Sequence, residues 1–269
     1  MWSPTLRMSR PVRRRADGSR VIVEMLRRHF LRAVPAGSAV ALCAWSSVLS
    51  RAYAHELDAP TGGSVWRGIV KDTGALIHAA PSTNAEVQAE LQPGDGVEVD
   101  QWVAGTQVYP TLITWGHLAD GRGYVYGSTV RPRVADSPPN PPAECLTWVG
   151  NWMDVNLTMN TITAYEGQAV RGFFPTSPGR PGWETTRGKH VVQSQVPVQD
   201  MAGPGYYVHG VQWISYFLSD GEAIHARTWD LDAISLGVPS SHGCLGIGLD
   251  AAALLYRFAA PGTPVYVHD

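Results

Sequence analysis

The run VADSPPNPPAE (134–144) holds four prolines in eleven residues. Each proline fixes its own φ, removes a backbone donor and biases the preceding residue away from helix. No helix or central strand passes through such a run, so it reads as an extended, semi-rigid linker. The chain beyond the first 60 or so residues therefore divides into a segment at 64–133 and a longer one at 145–269. No internal repeat relates the two.

Both segments read as β-structure. Gly (28), Pro (20) and Trp (10) are frequent and only 16% of residues are charged, which suits a turn-rich, mainly β protein better than a helical bundle. In 64–133 the stretches RGIVKD, ALIHAAP, DGVEVDQWV, TLITWGHLA and GRGYVYGS alternate apolar and polar residues between Gly, Pro, Asn and Asp. Five or six strands in about 70 residues imply a small barrel. Trp102, Tyr109, Trp115, Tyr124 and Tyr126 either line a groove on it or form its core. The run LIHAAPSTNAEVQAELQPGDGVEV followed by WGHLADGRGYVYGSTV resembles the bacterial Src-homology-three-type (SH3-like) barrel. That resemblance implies an accessory module, of a kind that often contacts cell-wall material.

After Cys145, strand alternation runs through DVNLT, TITAYE and AVRGFF, with turns at Met159-Asn160 and Glu166-Gly167. SPGRPGWETTRGKHVVQSQV is a Gly/Pro-rich loop running into a strand. LDAAALLYRFAA predicts one helix with a mixed apolar face, for which Asp250 can cap the start. TPVYVHD closes the chain as a strand.

Residues 1–54 carry ten arginines and two acids, which leaves the rest of the chain at a net charge of −10. So acidic a body argues against nucleic acid as a partner, because phosphate binding needs clustered cations. Arg27 and Arg28 in LRRHFLR precede a moderately apolar stretch, Ala33–Leu49, and then the small-x-small pattern Ala52-Tyr53-Ala54. Cationic head, apolar middle and small-residue exit are the parts of an export signal, and the paired arginines make it resemble a twin-arginine signal. The expectation is export to the periplasm or the outer cell face, with membrane contact only in transit. The alternative is a retained anchor, although Pro35 and Gly37 interrupt the apolar run. Leu42 stands before Cys43 where a lipobox wants a small residue. Met25 is a candidate alternative start. After cleavage only Cys145 and Cys244 remain, one possible pair and no disulfide framework.

Most of the chemistry gathers in GEAIHARTW and, further on, SSHGCLG. A thiol becomes a nucleophile when an imidazole or local positive potential favours the thiolate. His225 lies nineteen residues before Cys244, at the end of a predicted strand, and the loop between can return Cys244 beside it. Gly243 permits a backbone angle that could turn the N–H groups of Gly243 and Cys244 toward one substrate oxygen. Two other readings stand beside this one. A lone cysteine is commonly a small buried hydrophobe. His225, His242 and Cys244 could also supply three metal ligands, but no CxxC or HExxH supports zinc.

The stretch GEAIHARTW…LGVPSSHGCLGIGLDAAALLYRFAAPGTPVYV resembles the catalytic motif of L,D-transpeptidases of the YkuD type, and the resemblance extends from Trp148 to His268. It implies a β-sandwich or barrel with one or two short helices, following the SH3-like barrel. It implies that Cys244 is the nucleophile and His225 its general base, with Ser241, His242, Gly243 and Ala226 shaping the site. Tyr206 or Tyr207 would come from a lid. No metal or organic cofactor is implied; the partners would be peptidoglycan stem peptides and the protein a monomer. The order His before Cys separates it from papain-like wall endopeptidases. Two departures matter: Ala226 stands where many members have Gly or Ser, and Gly246 where many have Arg or Asn. Arg227 is a candidate replacement for that missing cation. Those departures leave open a non-catalytic wall-binding protein; a separate alternative is an L,D-carboxypeptidase that uses water as acceptor.

Overall fold

The computed structural model describes residues 65–110, 112–133 and 138–269. The export-signal reading falls on residues outside these, as does part of the proline run. Sixteen strands and one α-helix make the described chain mainly β.

Seven strands come first: β1 (Trp66–Val70), β2 (Ala75–His78), β3 (Val87–Leu91), β4 (Gly96–Tyr109), β5 (Leu112–Leu118), β6 (Tyr124–Tyr126) and β7 (Val130–Pro132). They form one sheet in the order β3-β2-β6-β5-β4-β1-β7. Every pairing is antiparallel. Alternation places one face of each strand inward. Trp66, Ile77, Val99, Leu118 and Val125 meet in one cluster. The Trp66 ring lies across Gly68, where a Cβ would come within 2.3 Å of it.

The second segment builds two further sheets. The strands β8 (Asn151–Asn156), β9 (Thr161–Glu166), β10 (Ala169–Pro175), β11 (Gly188–Val191) and, at the C-terminus, β16 (Pro264–His268) pair in the order β10-β9-β8-β16-β11. β12 (Ser194–Gly203), β13 (Tyr206–Tyr216), β14 (Ala223–Ala226) and β15 (Leu245–Ile247) pair in chain order. The only α-helix among the described residues, α1 (Leu249–Phe258), follows β15 directly. Met153, Val155 and Ile162 from one sheet, Ile224, Ala226, Leu245 and Ile247 from the other, and Ala252 and Leu255 from α1 form a common core. The helix cap differs from the sequence expectation. Gly248 is the N-cap, with no side-chain cap, and Asp250 sits in the first turn. There its charge complements the helix dipole.

The proline run does not leave the two segments apart, since the described residues belong to a single compact unit. Tyr165 Oη donates to Pro139 O at 3.2 Å, and Tyr266 Oη donates to Glu144, so residues 138–144 of the run lie along the second segment. The stronger link is the loop between β14 and β15. Ile234 and Val238 are fully buried against Leu112, Trp115 and Tyr126 of the seven-stranded sheet. Around them Thr114 Oγ1 donates to Pro239 O at 2.6 Å, Lys71 Nζ donates to Ala233 O at 3.2 Å and Asn160 Nδ2 donates to Gly237 O at 2.9 Å. The tyrosine and tryptophans that the sequence offered for a ligand groove divide accordingly: Trp115 and Tyr126 are core, and Trp102, Tyr109 and Tyr124 pack partly buried against it.

Candidate active site

His225 is the third residue of β14, and Gly246 of β15 pairs with it in parallel register. The loop between the two strands leaves from the end of one ladder and re-enters at the start of the next, which brings Cys244 back to the histidine. Both side chains line one cavity of about 340 Å³, walled by Met201, Tyr206, Val208, Val211 and Trp229.

The histidine tautomer follows from its partner. Nδ1 of His225 lies 2.9 Å from the carbonyl oxygen of Ala226, which can only accept. Nδ1 therefore carries the proton and Nε2 keeps its lone pair. The Ala226 backbone carbonyl thus fixes how the ring is turned. The Trp229 indole stacks on the ring at 5.8 Å and 18°. Burial, with some contribution from Arg227, pushes His225 down to about 4. The Cys244 thiol donates to Gly221 O at 3.7 Å. Burial pushes it up to about 11; Glu222 and Asp220 reinforce the shift, while the Ala223 N–H opposes it. At neutral pH the resting pair is thus a thiol and a neutral imidazole.

The nucleophile turn is held from several directions. Gly243 has φ +113°, a region that L side chains rarely adopt, and a Cβ there would also press on Glu222 at 3.3 Å. Ser241 Oγ donates to Cys244 O at 2.5 Å and accepts from Gly243 N–H at 3.1 Å. The Gly243 N–H expected to face a substrate oxygen is therefore engaged within the turn. From outside, Thr185 Oγ1 donates to Gly243 O at 2.8 Å, Arg180 N–H donates to Ser241 O at 3.0 Å, and Pro178 O accepts from the Ser240 and Ser241 N–H groups. His242 is itself held in place. Arg180 donates to its Nε2 at 2.7 Å, so that nitrogen is unprotonated, and burial together with Arg180 lowers its affinity for a proton. Tyr206 stacks on the ring at 4.4 Å, and Trp183 meets it edge-on at 5.0 Å.

Both tyrosines line the cavity: Tyr206 stacks on His242, while Tyr207 is 66% exposed and donates its hydroxyl to Asp200 at 2.5 Å. Arg227 is buried and does not offer a free cation. Its Nε and Nη2 each lie 2.9 Å from an Asp230 oxygen, and Nη1 donates to Ser240. It lies against Gly246, where a Cβ would stand 3.2 Å from its Cδ. The missing side chain at 246 thus leaves space that the Arg227 stem fills. Among the described residues no group of three or more His, Cys, Asp or Glu is arranged to hold a metal ion. The buried Cys145 thiol, packed with Trp152 and Tyr165, is pushed up to about 11 by burial. Cys145 and Cys244 are both free thiols.

Sequence reasoning did not assign roles to Trp229, Arg180, Thr185, Asp230 or Ser240. The GRPG turn around Arg180 was the one local signal available, since proline and glycine there predict a tight, directed loop.

No curated protein matches the chain in sequence. Solved structures similar to it include an L,D-transpeptidase from Mycobacterium smegmatis, at 17% identity over 77% of this chain and 82% of that one, with a TM-score of 0.41. One from Mycobacterium tuberculosis H37Rv is 19% identical over 67% of this chain and 71% of that one, with a TM-score of 0.42. An LD transpeptidase in complex with imipenem is 22% identical over 44% of this chain, with a TM-score of 0.41, and the match spans 59% of that chain's length. The family model of YkuD, the L,D-transpeptidase catalytic domain, matches residues 150–267, the segment that carries His225 and Cys244.

Proposed function

We propose that the chain is an exported peptidoglycan L,D-transpeptidase with Cys244 as its nucleophile. The observation that carries this reading is the neutral His225, with Nδ1–H bound to Ala226 O and the Nε2 lone pair left over, on the same cavity as Cys244. In the proposed cycle the Cys244 sulfur attacks the carbonyl of the third residue, a diamino acid, in a tetrapeptide stem, while His225 Nε2 takes the thiol proton. The C–N bond to the terminal D-Ala breaks, His225 returns the proton to the departing amine, and a thioester remains. The side-chain amine of a neighbouring stem then attacks the thioester, giving a 3→3 link and restoring the thiol. Water in place of the amine makes the product a tripeptide.

The resting thiol and neutral imidazole suit a base that acts as the attack occurs, in place of a stored thiolate. The seven-stranded sheet, which resembles an SH3-type barrel in sequence, supports the catalytic loop in this account. The residue 1–54 signal would deliver the protein outside the membrane, where peptidoglycan lies. The test is muropeptide analysis of purified sacculi incubated with the protein. New 3→3 dimers, absent with Cys244→Ala, support the proposal; sacculi identical to the untreated control overturn it.

A further inference from the structure

One side chain holds both ends of the loop between β14 and β15. Arg227 stands two residues after His225, and its backbone N–H donates to Ile247 O at 2.7 Å, which fixes it beside β15. Its Nε and Nη2 grip the two oxygens of Asp230, at the loop's exit from β14, each at 2.9 Å. Its Nη1 donates to Ser240, at the loop's return, four residues before Cys244. The side chains of Arg227 and Asp230 are 5% and 14% exposed, so water competes little for these bonds.

The residues it joins are tied to the docked part of the loop. Asp230 has φ +57°, a conformation that is costly for a residue with a side chain, and its carbonyl oxygen accepts the Ala233 and Ile234 N–H groups. Asp230 therefore starts the turn that sends Ile234 against the seven-stranded sheet. Ser240 Oγ accepts from Arg227 and donates onward to Val238 O at 2.9 Å, and Val238 is the loop's other buried contact with that sheet. At Gly246 a Cβ would stand 3.2 and 3.3 Å from Cδ and Cβ of Arg227, closer than packed atoms ordinarily sit. The glycine thus keeps the place of the Arg227 stem open. Arg227, Asp230, Ser240 and Gly246 all line the Cys244 cavity.

We infer that Arg227 is a positioning residue for the His225–Cys244 pair. Its fork joins the two ends of the loop, so that docking of Ile234 and Val238 on the seven-stranded sheet fixes where the nucleophile turn meets the base. The inference rests on the proposed function, to which it adds a residue that acts through others and not on the substrate. A guanidinium suits the task because its donors lie in one rigid plane; an ammonium can hold Asp230 or Ser240 but has no fork that spans both. The charge has a second effect. Burial first, and Arg227 after it, hold His225 below its ordinary value. Asp230, His242, Cys244 and the two tyrosines are the other titratable groups on the cavity wall. Without Arg227, and with Asp230 left anionic, the imidazole takes up a proton at higher pH.

The test measures carbapenem acylation of Cys244 in the full chain by intact mass, over carbapenem concentration and pH. In Arg227→Lys, which keeps the charge and loses the fork, the limiting rate is expected to fall about tenfold to a hundredfold at an unchanged half-saturating concentration. The acid limb of its pH profile, set by His225, should coincide with that of wild type. In Arg227→Met that limb should move to higher pH. Ser240→Ala removes the contact at the loop's return and should lower the limiting rate by a smaller factor. Unchanged limiting rates in whichever of Arg227→Lys and Ser240→Ala melt at the parent temperature overturn the inference, as does a loss expressed in the half-saturating concentration alone. An unmoved limb in Arg227→Met reduces Arg227 to a structural brace and overturns it as well. Absence of any adduct in wild type defeats the transpeptidase reading instead. The inference is then decided by the NMR signal of the His225 Nδ1–H, displaced in Arg227→Lys if it holds and coincident with wild type if it fails.

Discussion

The two clusters of the seven-stranded sheet differ in what completes them. Around Trp66, Ile77 and Val125 the core is built from the sheet's own strands. Around Leu112, Trp115 and Tyr126 it is completed by Ile234 and Val238, which lie between the candidate base and the candidate nucleophile in sequence. A sheet that looks like an accessory module therefore has one self-contained cluster and one that belongs partly to the catalytic loop. Stability and activity should separate along that division.

The largest effects are expected where the two meet. Ile77→Ala and Ile234→Ala each remove a fully buried side chain and should each cost about 2–5 kcal/mol in urea unfolding. Only Ile234→Ala should also slow acylation of Cys244 under folding conditions. Equal slowing in both variants would break the comparison. Arg227→Met should come next. It leaves the Asp230 carboxylate without its cation in a buried setting, a loss of about 3–5 kcal/mol for pairs of this kind, and frees the loop at Ser240. Thr114→Val removes a single buried bond to Pro239 O and should cost about 1–3 kcal/mol. Tyr207→Phe loses an exposed hydroxyl contact and should stay within about 0.5 kcal/mol of wild type.

The site also makes the pH response asymmetric. His225 holds a proton less readily when folded, about 4 against an ordinary 6.5. Between those values the unfolded chain binds the extra proton, so stability falls as pH drops through that window. Cys244 keeps its proton longer when folded, about 11 against 9.0. There the unfolded chain loses it first, and stability falls as pH rises. Iodoacetamide alkylation of Cys244 should accordingly keep accelerating well above pH 9. A rate that levels off near pH 7 would instead show a stored thiolate–imidazolium pair.

What could be read from the sequence is what the chain encodes locally. Gly243 before Cys244 announces a backbone angle that few residues share, and AIHA and TITAYE are legible as strands, although nearly every residue in them is buried and not every second one. The short strands β3 and β7 were less plain, since β3 is mostly exposed and β7 has only three residues. Contacts such as Thr185 with Gly243 or Thr114 with Pro239 join residues 58 and 125 positions apart and leave no local pattern. Arg227 was legible as a nearby cation but not as one already paired, because Asp230 and Ser240 reach it only through the fold of the loop.

The account stands on Cys244 as the atom that is acylated and His225 as the base that enables it. The direct measurement is the time course of intact mass during incubation with a carbapenem, followed by peptide mapping. The account predicts one adduct, on the peptide containing Cys244, absent in Cys244→Ala and formed about 10²–10⁴-fold more slowly in His225→Ala. An adduct on Cys145 in its place, or an undiminished rate in His225→Ala, would contradict it.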